Sequence, residues 1–259
     1  MPELPEVETF SRYFALHALG QRIERVEVRD ERILTQRRDA FVRALRGRSF
    51  EAVRRHGKHL FASTEKRWLH LHFGMSGDLS YYEQGDDPRF ARVIFAFDNG
   101  AKLAFEDMRL FGLAEVLDSP DAFIASAKLG PDPLDPKFTF PRFNALLEKR
   151  KGAIKSLLMT QEILAGMGNL YVDETLYATS IHPTRAVHKL RDSERKSIFT
   201  SMRKILRQAI ARHAKGKDLP PTALMHHREE GERCPMCGGS IQRSVVFGRT
   251  TYFCARHQR

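Results

Sequence analysis

Two short stretches, at opposite ends of the chain, carry residues whose types and spacing can do chemistry. The first is Met1-Pro2-Glu3-Leu4-Pro5-Glu6. Removal of the initiator Met1, favoured when the next residue is as small as proline, leaves Pro2 with a secondary amine, which is a nucleophile. Glu3 follows at an expected helix start, where the dipole and the unpaired backbone N–H groups favour a carboxylate, and Glu6 lies one turn on. An amine beside an acid suits covalent catalysis with proton transfer; acidic residues in a first turn also serve helix stability alone.

The second stretch is Cys234-Pro-Met-Cys237 followed by Cys254-Ala-Arg-His257. Two ligand pairs, each with two residues between members, suit a tetrahedral zinc site on a β-hairpin, because each short turn aims two ligands at one ion. His226 and His227 are alternative fourth ligands whose spacing fits less well. The three cysteines of the chain all lie in this region, which makes a poor disulfide framework and a good metal site. Within the hairpin, Gly248-Arg249-Thr250-Thr251 is expected to form the turn, with Arg249 at its tip as a phosphate contact or a solvated surface charge.

Further candidates sit in glycine-bearing turns. Gly166-Met-Gly-Asn169 separates two helical stretches; Asn169 can cap the second, and that helix start is a natural phosphate site. Lys58, in the basic hairpin Arg54-Arg-His-Gly-Lys58-His59, is a phosphate contact or a solvated charge. Met75 in His72-Phe-Gly-Met-Ser-Gly77, and Arg109 with Phe111 in Asp107-Met-Arg-Leu-Phe-Gly112, follow strands and can project from a rim. Ordinary core packing is the alternative for Met75 and Phe111.

The elements that must position these residues differ between the two halves. Val7, Phe10 and Phe14 share one helical face and Gly20 stops that helix. Strand patterns follow at 22–28, 49–54, 59–63, 68–73, 92–97, 102–105 and 113–117, with Asn99-Gly100 suiting a tight hairpin. This half reads as an antiparallel β-sandwich carrying a leading helix, spanning 1–128. Four prolines mark 129–141 as a linker. Helices are expected at 142–149, 153–160, 170–179 and 193–213, the last with Ile198, Met202, Ile205, Leu206 and Ile210 on its core stripe. The helical domain thus covers 142–221 and the zinc-finger hairpin 222–259, an α+β multidomain chain.

Composition narrows the partner. The 259 residues contain 43 Lys+Arg against 32 Asp+Glu, a net charge of +11, which favours nucleic acid first and an anionic membrane second. No run of eighteen apolar residues spans a bilayer, and Glu3, Glu6 and Glu8 stand where a signal peptide would be basic, so the cytosol or nucleoid is the expected location.

Together these segments resemble the formamidopyrimidine-DNA glycosylase and endonuclease VIII family of base-excision repair enzymes, nearly end to end. Pro2-Glu-Leu-Pro-Glu-Val-Glu-Thr9 is similar to the opening of the formamidopyrimidine branch. Gly57-Lys58, Gly74-Met75-Ser76-Gly77, Arg109-Leu-Phe111-Gly112, Gly166-Met-Gly-Asn169-Leu-Tyr-Val-Asp-Glu174 and the terminal finger follow in the family's order. The resemblance implies a helix-two-turn-helix fold for the second domain and a site in the cleft between the domains.

It also implies roles. Pro2 would attack C1′ of the damaged nucleotide, displacing the base and forming a Schiff base that leads to β- and δ-elimination. Glu3 would act as general acid and Glu6 would support the pocket. Lys58, Asn169 and Arg249 would grip flanking phosphates, and Met75, Arg109 and Phe111 would fill the gap left by the flipped base. The chain would be a monomer acting on damaged duplex DNA, with one structural zinc as its only cofactor. Two departures stand out: His257 replaces the family's usual fourth cysteine, and the segment between His213 and Cys234 is short for the loop that caps 8-oxoguanine. Oxidised pyrimidines, ring-opened purines or further-oxidised guanine are then the implied substrates. An enzyme acting mainly as an abasic-site lyase, or a non-catalytic zinc-finger protein binding damaged DNA, are the other readings.

Overall fold

The helix expected from Val7, Phe10 and Phe14 runs over Leu4–Ala18 (α1) in the computed structural model, which describes residues 1–148, 150–212 and 219–259. Leu4, Val7, Phe14 and Ala18 are fully buried, and Phe10 and Phe14 meet Phe73 and Phe50 at ring-centroid distances of 4.4 and 4.9 Å. Aromatic contacts of this kind hold the helix, and therefore its first turn, at a fixed place on the sheet.

The chain divides into two units, Met1–Lys128 and Leu129–Arg259. In the first, β1 (Ile23–Val28), α2 (Arg38–Leu45), β2 (Ala52–His56), β3 (His59–Ser63), β4 (Trp68–His72), β5 (Gly77–Tyr82), β6 (Ala91–Phe97), β7 (Lys102–Asp107), β8 (Leu113–Leu117) and α3 (Pro120–Ser126) follow α1. The strands form two antiparallel sheets, ordered β1-β6-β7-β5 and β2-β3-β4-β8. Leu60, Ala62, Leu69 and Leu71 of one sheet share a core with Val93, Phe95, Leu103 and Phe105 of the other, so this is the expected sandwich. The β6–β7 hairpin turns through Asp98-Asn99-Gly100, where Gly100 takes the left-handed φ of 86° that the turn requires.

Alternation on β3 and β4 sends His59, Phe61, His70 and His72 to the face away from that core, where Phe123 of α3 covers His70 at a centroid distance of 4.4 Å. Polar groups buried this way need partners. Thr35 donates to Glu115 at 2.6 Å, and Glu115 faces His70 Nδ1 at 2.8 Å. His70 Nε2 in turn faces His59 Nδ1 at 2.9 Å. The carboxylate can only accept, so His70 carries its proton on Nδ1, accepts at Nε2, and orients His59 as donor. Hydrogen bonding from His70 holds the Glu115 carboxyl below its ordinary value.

Burial depresses these histidines: His59 is pushed down to about 2 and His72 to about 4, with the neighbouring histidines and Lys58 adding to the effect. The unfolded chain therefore takes up protons that the native state refuses, and stability falls as pH drops below the ordinary value of 6.5. Each histidine contributes a slope of about 1.4 kcal/mol per pH unit until its native value is reached. Urea unfolding between pH 7 and pH 4 checks this: a His59→Gln/His72→Gln variant should show a shallower acid slope, and an unchanged slope contradicts the assignment.

In the second unit the proline-bearing stretch 129–141 packs as part of the body. Gly130 N donates to Gln161 O at 2.8 Å and Ala165 N to Pro131 O at 3.1 Å. Arg203 Nη1 donates to the carbonyls of Pro133 and Phe138 at 2.7 and 3.0 Å. Prolines supply acceptors without donors, and one arginine fork satisfies several. The helices α4 (Phe140–Glu148), α5 (Ile154–Met159), α6 (Asn169–Ala178) and α7 (Asp192–Ala211) follow. Ile198, Met202, Leu206 and Ile210 of α7 are buried as their spacing predicts, and Ile205 is half-buried. Lys149 and His213, where two helices were expected to end, lie outside the described residues, as do all of 213–218. The chain closes with the antiparallel hairpin β9 (Gln242–Val246) and β10 (Arg249–Phe253).

Candidate active site and metal centre

The chemistry at the N-terminus depends on how α1 begins. Glu3 precedes the first helical residue, is 3% exposed, and donates its backbone N–H to Glu6 Oε2 at 2.8 Å. Glu6 thus caps the turn that carries Glu3, half of a capping box, and Pro2 stands directly before it, half-buried. Arg55, which the sequence did not single out, ties this helix to the next candidate: its Nε donates to Glu8 at 2.8 Å and its Nη1 to Gly57 O at 3.0 Å. Gly57-Lys58 is the two-residue turn of the β2–β3 hairpin, with Gly57 at φ 56° and His56 paired to His59. One arginine therefore links the helix of Pro2 and Glu3 to the turn of Lys58.

Two rim loops of the same unit carry Met75, Arg109 and Phe111. Met75 is 42% and Phe111 57% exposed, so core packing does not explain either residue. Exposed Arg109 lies over the Phe111 ring, 5.0 Å from its centroid. Between them Leu110 adopts a left-handed φ of 55° and packs against the core, which turns its two neighbours outward. Beneath the loops lies Asp107, fully buried. It accepts from Ser76 Oγ at 2.5 Å, from Arg109 N at 3.1 Å and from Gly112 N at 2.6 Å. Gly74 lets the loops touch, since a Cβ there would lie 2.3 Å from the Phe111 carbonyl carbon. Asp107 ends a strand just before a loop, the one sequence signal that could have marked it.

In the second unit, Asn169 is the first residue of α6 and Gly168 its N-cap, so the expected capping role does not hold. Its side chain instead donates to Thr250 O at 2.9 Å, and its Oδ1 is buried without a hydrogen-bond partner. The hairpin turn is also displaced from expectation. Phe247-Gly248 form it, both left-handed, and exposed Arg249 opens β10 opposite Val246 rather than occupying the tip. The reason is register: cross-strand pairing starts at Val246 and Arg249, leaving two residues between. Behind the hairpin a buried ionic cluster holds it. Lys155 Nζ donates to Asp173 Oδ1 at 2.6 Å and to Thr251 Oγ1 at 2.7 Å, while Arg228 lies 3.0 Å from the other Asp173 oxygen.

Cys234, Cys237, Cys254 and His257 offer ligand atoms that all lie within 4.8 Å of one another. Cys234 Sγ is 3.4 Å from His257 Nδ1, and the sulfurs of Cys237 and Cys254 are 3.5 Å apart. A tetrahedral site with metal–sulfur bonds of about 2.3 Å has sulfur–sulfur edges of about 3.8 Å, so the group can hold a metal ion. His257 Nε2 faces Tyr177 O at 3.2 Å, a donor role that leaves Nδ1 as the lone-pair atom. The alternatives are engaged elsewhere: His226 Nε2 faces Leu219 O at 3.1 Å, and His227 lies against Glu232 and Pro221 at 2.5 and 2.8 Å. No helix among the described residues is long and apolar enough to cross a membrane.

A sandwich led by Pro2-Glu3, a helical domain and a Cys3His hairpin define a recognisable class. Residues 1–114 match the formamidopyrimidine-DNA glycosylase N-terminal domain, and residues 129–219 match the helix-two-turn-helix domain of the same proteins. The chain is 35% identical to the formamidopyrimidine-DNA glycosylase of Streptococcus pneumoniae over 272 aligned positions, covering 100% of this chain and 99% of that one. Against the Chloroflexus aurantiacus protein the identity is 34%, covering 98% and 96%. The Lactococcus lactis enzyme bound non-covalently to DNA containing an AP site superposes with a TM-score of 0.90 at 29% identity, covering 99% of each chain. A mutant of that enzyme in complex with Fapy-dG-containing DNA gives 0.90 at 30%, covering 100% of each. The chain belongs to the formamidopyrimidine-DNA glycosylase family.

Proposed function

We propose that this chain is a bifunctional DNA glycosylase and abasic-site lyase of base-excision repair. The observation that carries the reading is a buried Glu3 at the helix start, capped by Glu6 and adjoining Pro2. Once Met1 is removed, the Pro2 amine attacks C1′ of the damaged nucleotide, and the C1′–N bond breaks with its electron pair leaving on the base. Glu3 donates a proton to the sugar ring oxygen as the ring opens and the iminium forms. Loss of the 3′ and then the 5′ phosphate by β- and δ-elimination cuts the strand. Lys58, Asn169 and Arg249 hold flanking phosphates, while Met75, Arg109 and Phe111 occupy the space of the extruded base and offset its lost stacking.

Borohydride reduction in the presence of duplex DNA with an abasic site tests this. A covalent protein–DNA adduct should accumulate, and its absence under conditions where the protein binds that DNA would leave a binding protein instead. The preferred lesion follows from the short segment between His213 and Cys234, of which 213–218 lie outside the described residues: oxidised pyrimidines and ring-opened purines should be excised faster than 8-oxoguanine in single turnovers. Rapid 8-oxoguanine release contradicts that preference. We place the enzyme in the cytosol, acting as a monomer.

The four-residue cluster fits zinc, which when bound serves structure, holding the hairpin of Arg249 closed at its base. His257→Ala should lower bound zinc below about one per chain and weaken DNA binding. Full zinc retention would move the fourth ligand elsewhere.

A further inference from the structure

The hairpin that carries Arg249 ends in a residue that its own geometry does not favour. Two-residue turns with both central positions left-handed prefer Asn, Asp or Gly, because a bulky side chain there crowds the backbone. Here the first central position is Phe247, at φ 52°. A strained aromatic is ordinarily compensated by packing, yet Phe247 is 70% exposed, and Val245, two residues before it, is 72% exposed. No hydrophobic cluster among the described residues takes in either side chain. Strain together with exposure points outward, to something that covers the ring.

Charge says what that is. Residues 242–253 contain Arg243 and Arg249 and no carboxylate, so the tip presents apolar surface framed by cations. Such a surface fits a polyanion that also has apolar faces. We propose that Phe247 is a DNA-contacting residue, its ring lying against the sugar and base surface next to the phosphate taken by Arg249. This rests on the reading of Arg249 as a phosphate contact and extends it: the hairpin grips through one ionic and one apolar contact. Aromatic contact with nucleotides is insensitive to salt, whereas each phosphate held by an arginine releases counterions.

The two contributions can be separated with duplex DNA carrying a tetrahydrofuran abasic-site analogue, which the enzyme cannot cleave. Phe247→Gly suits the left-handed position better than phenylalanine, so the variant keeps its fold and its metal. It should bind about tenfold more weakly, with the dependence of log Kd on log salt unchanged. Arg249→Ala should weaken binding and flatten that dependence. Phe247→Tyr, which keeps the ring, should retain affinity to within about twofold. If Phe247→Gly binds as tightly as the parent while Arg249→Ala is weakened, the apolar contact is wrong and the phosphate contact stands. If neither variant is weakened, the hairpin is not a DNA surface and both readings fail. Equal losses in the Gly and Tyr variants, or a flattened salt slope in Phe247→Gly, also overturn the proposal, since the substitution would then act through Arg249.

Discussion

A version of the protein that retains Met1, or carries any N-terminal fusion, should form no borohydride-trapped adduct and should cleave abasic DNA at least about a thousandfold more slowly than the chain without Met1, if Pro2 is the nucleophile proposed above. In such a version the Pro2 nitrogen is part of a tertiary amide, its lone pair delocalised into the preceding carbonyl and unable to attack C1′. Affinity for abasic-site DNA should stay within a few-fold, because Lys58 is on a hairpin turn and Asn169 and Arg249 are in the second unit. Glu3→Gln should separate the proposed acid from the proposed amine: the adduct should still form, and single-turnover base release should fall by about 10²–10⁴. Gel analysis of trapped adducts together with single-turnover kinetics decides the matter. An adduct formed by the fused version would place the nucleophile on another residue.

Asp173→Leu should destabilise the protein more than Lys155→Met, although both remove one partner of the same 2.6 Å ion pair. Both residues are essentially solvent-free, so removing either partner leaves charge in a medium that cannot solvate it, at a cost of about 3–5 kcal/mol. The asymmetry comes from Arg228. After Lys155→Met the carboxylate still faces that guanidinium at 3.0 Å, whereas Asp173→Leu strips the carboxylate from two cations at once. The double variant Lys155→Met/Asp173→Leu should recover part of the Asp173→Leu loss, since Lys155 is then no longer left charged and unpaired, while Arg228 still is. Urea unfolding with zinc supplied to every variant gives the order. Equal losses in the two single variants would show that Arg228 does not share the charge.

The parts of this arrangement that the sequence disclosed are those with local signatures. Helical spacing disclosed α1, alternating hydrophobicity the sandwich strands, and a Gly-Lys pair the turn of Lys58. Cysteine spacing disclosed the group of Cys234, Cys237, Cys254 and His257 that can hold a metal ion, and it is His257 rather than His226 or His227 that lies with the three thiols. What stayed hidden depends on contacts far apart in the chain. Strand β5 begins Gly77-Asp78 and carries Ser80, too polar to stand out, and it forms because β7 pairs with it. Helix α2 is short, with Arg38, Asp39 and Arg43 interrupting its apolar residues, and Phe41 and Leu45 are its buried anchors. Helix α3 did have a signal, Ser119 before Pro120, the N-cap and first-turn pair. Asn169 departs from the expected cap because a cap and the first helical residue differ by one position, and its amide donates to Thr250 O instead. Arg55, Asp107 and Lys155 act across 47, 31 and 96 residues of sequence, distances at which no pattern speaks.

Asp107 has an implication for how the rim can change. A single carboxylate ties both loops from below, one through the Ser76 hydroxyl and the other through the backbone N–H groups of Arg109 and Gly112, and the left-handed Leu110 anchors the second, so Met75, Arg109 and Phe111 are displayed on a scaffold that does not depend on their identity. The loops lose their conformational freedom when the protein folds rather than when it meets a ligand, which leaves little ordering entropy to oppose binding. Substitutions at the three display positions should therefore change how tightly lesion-bearing DNA is held while sparing the melting temperature, because the scaffold beneath them stays in place.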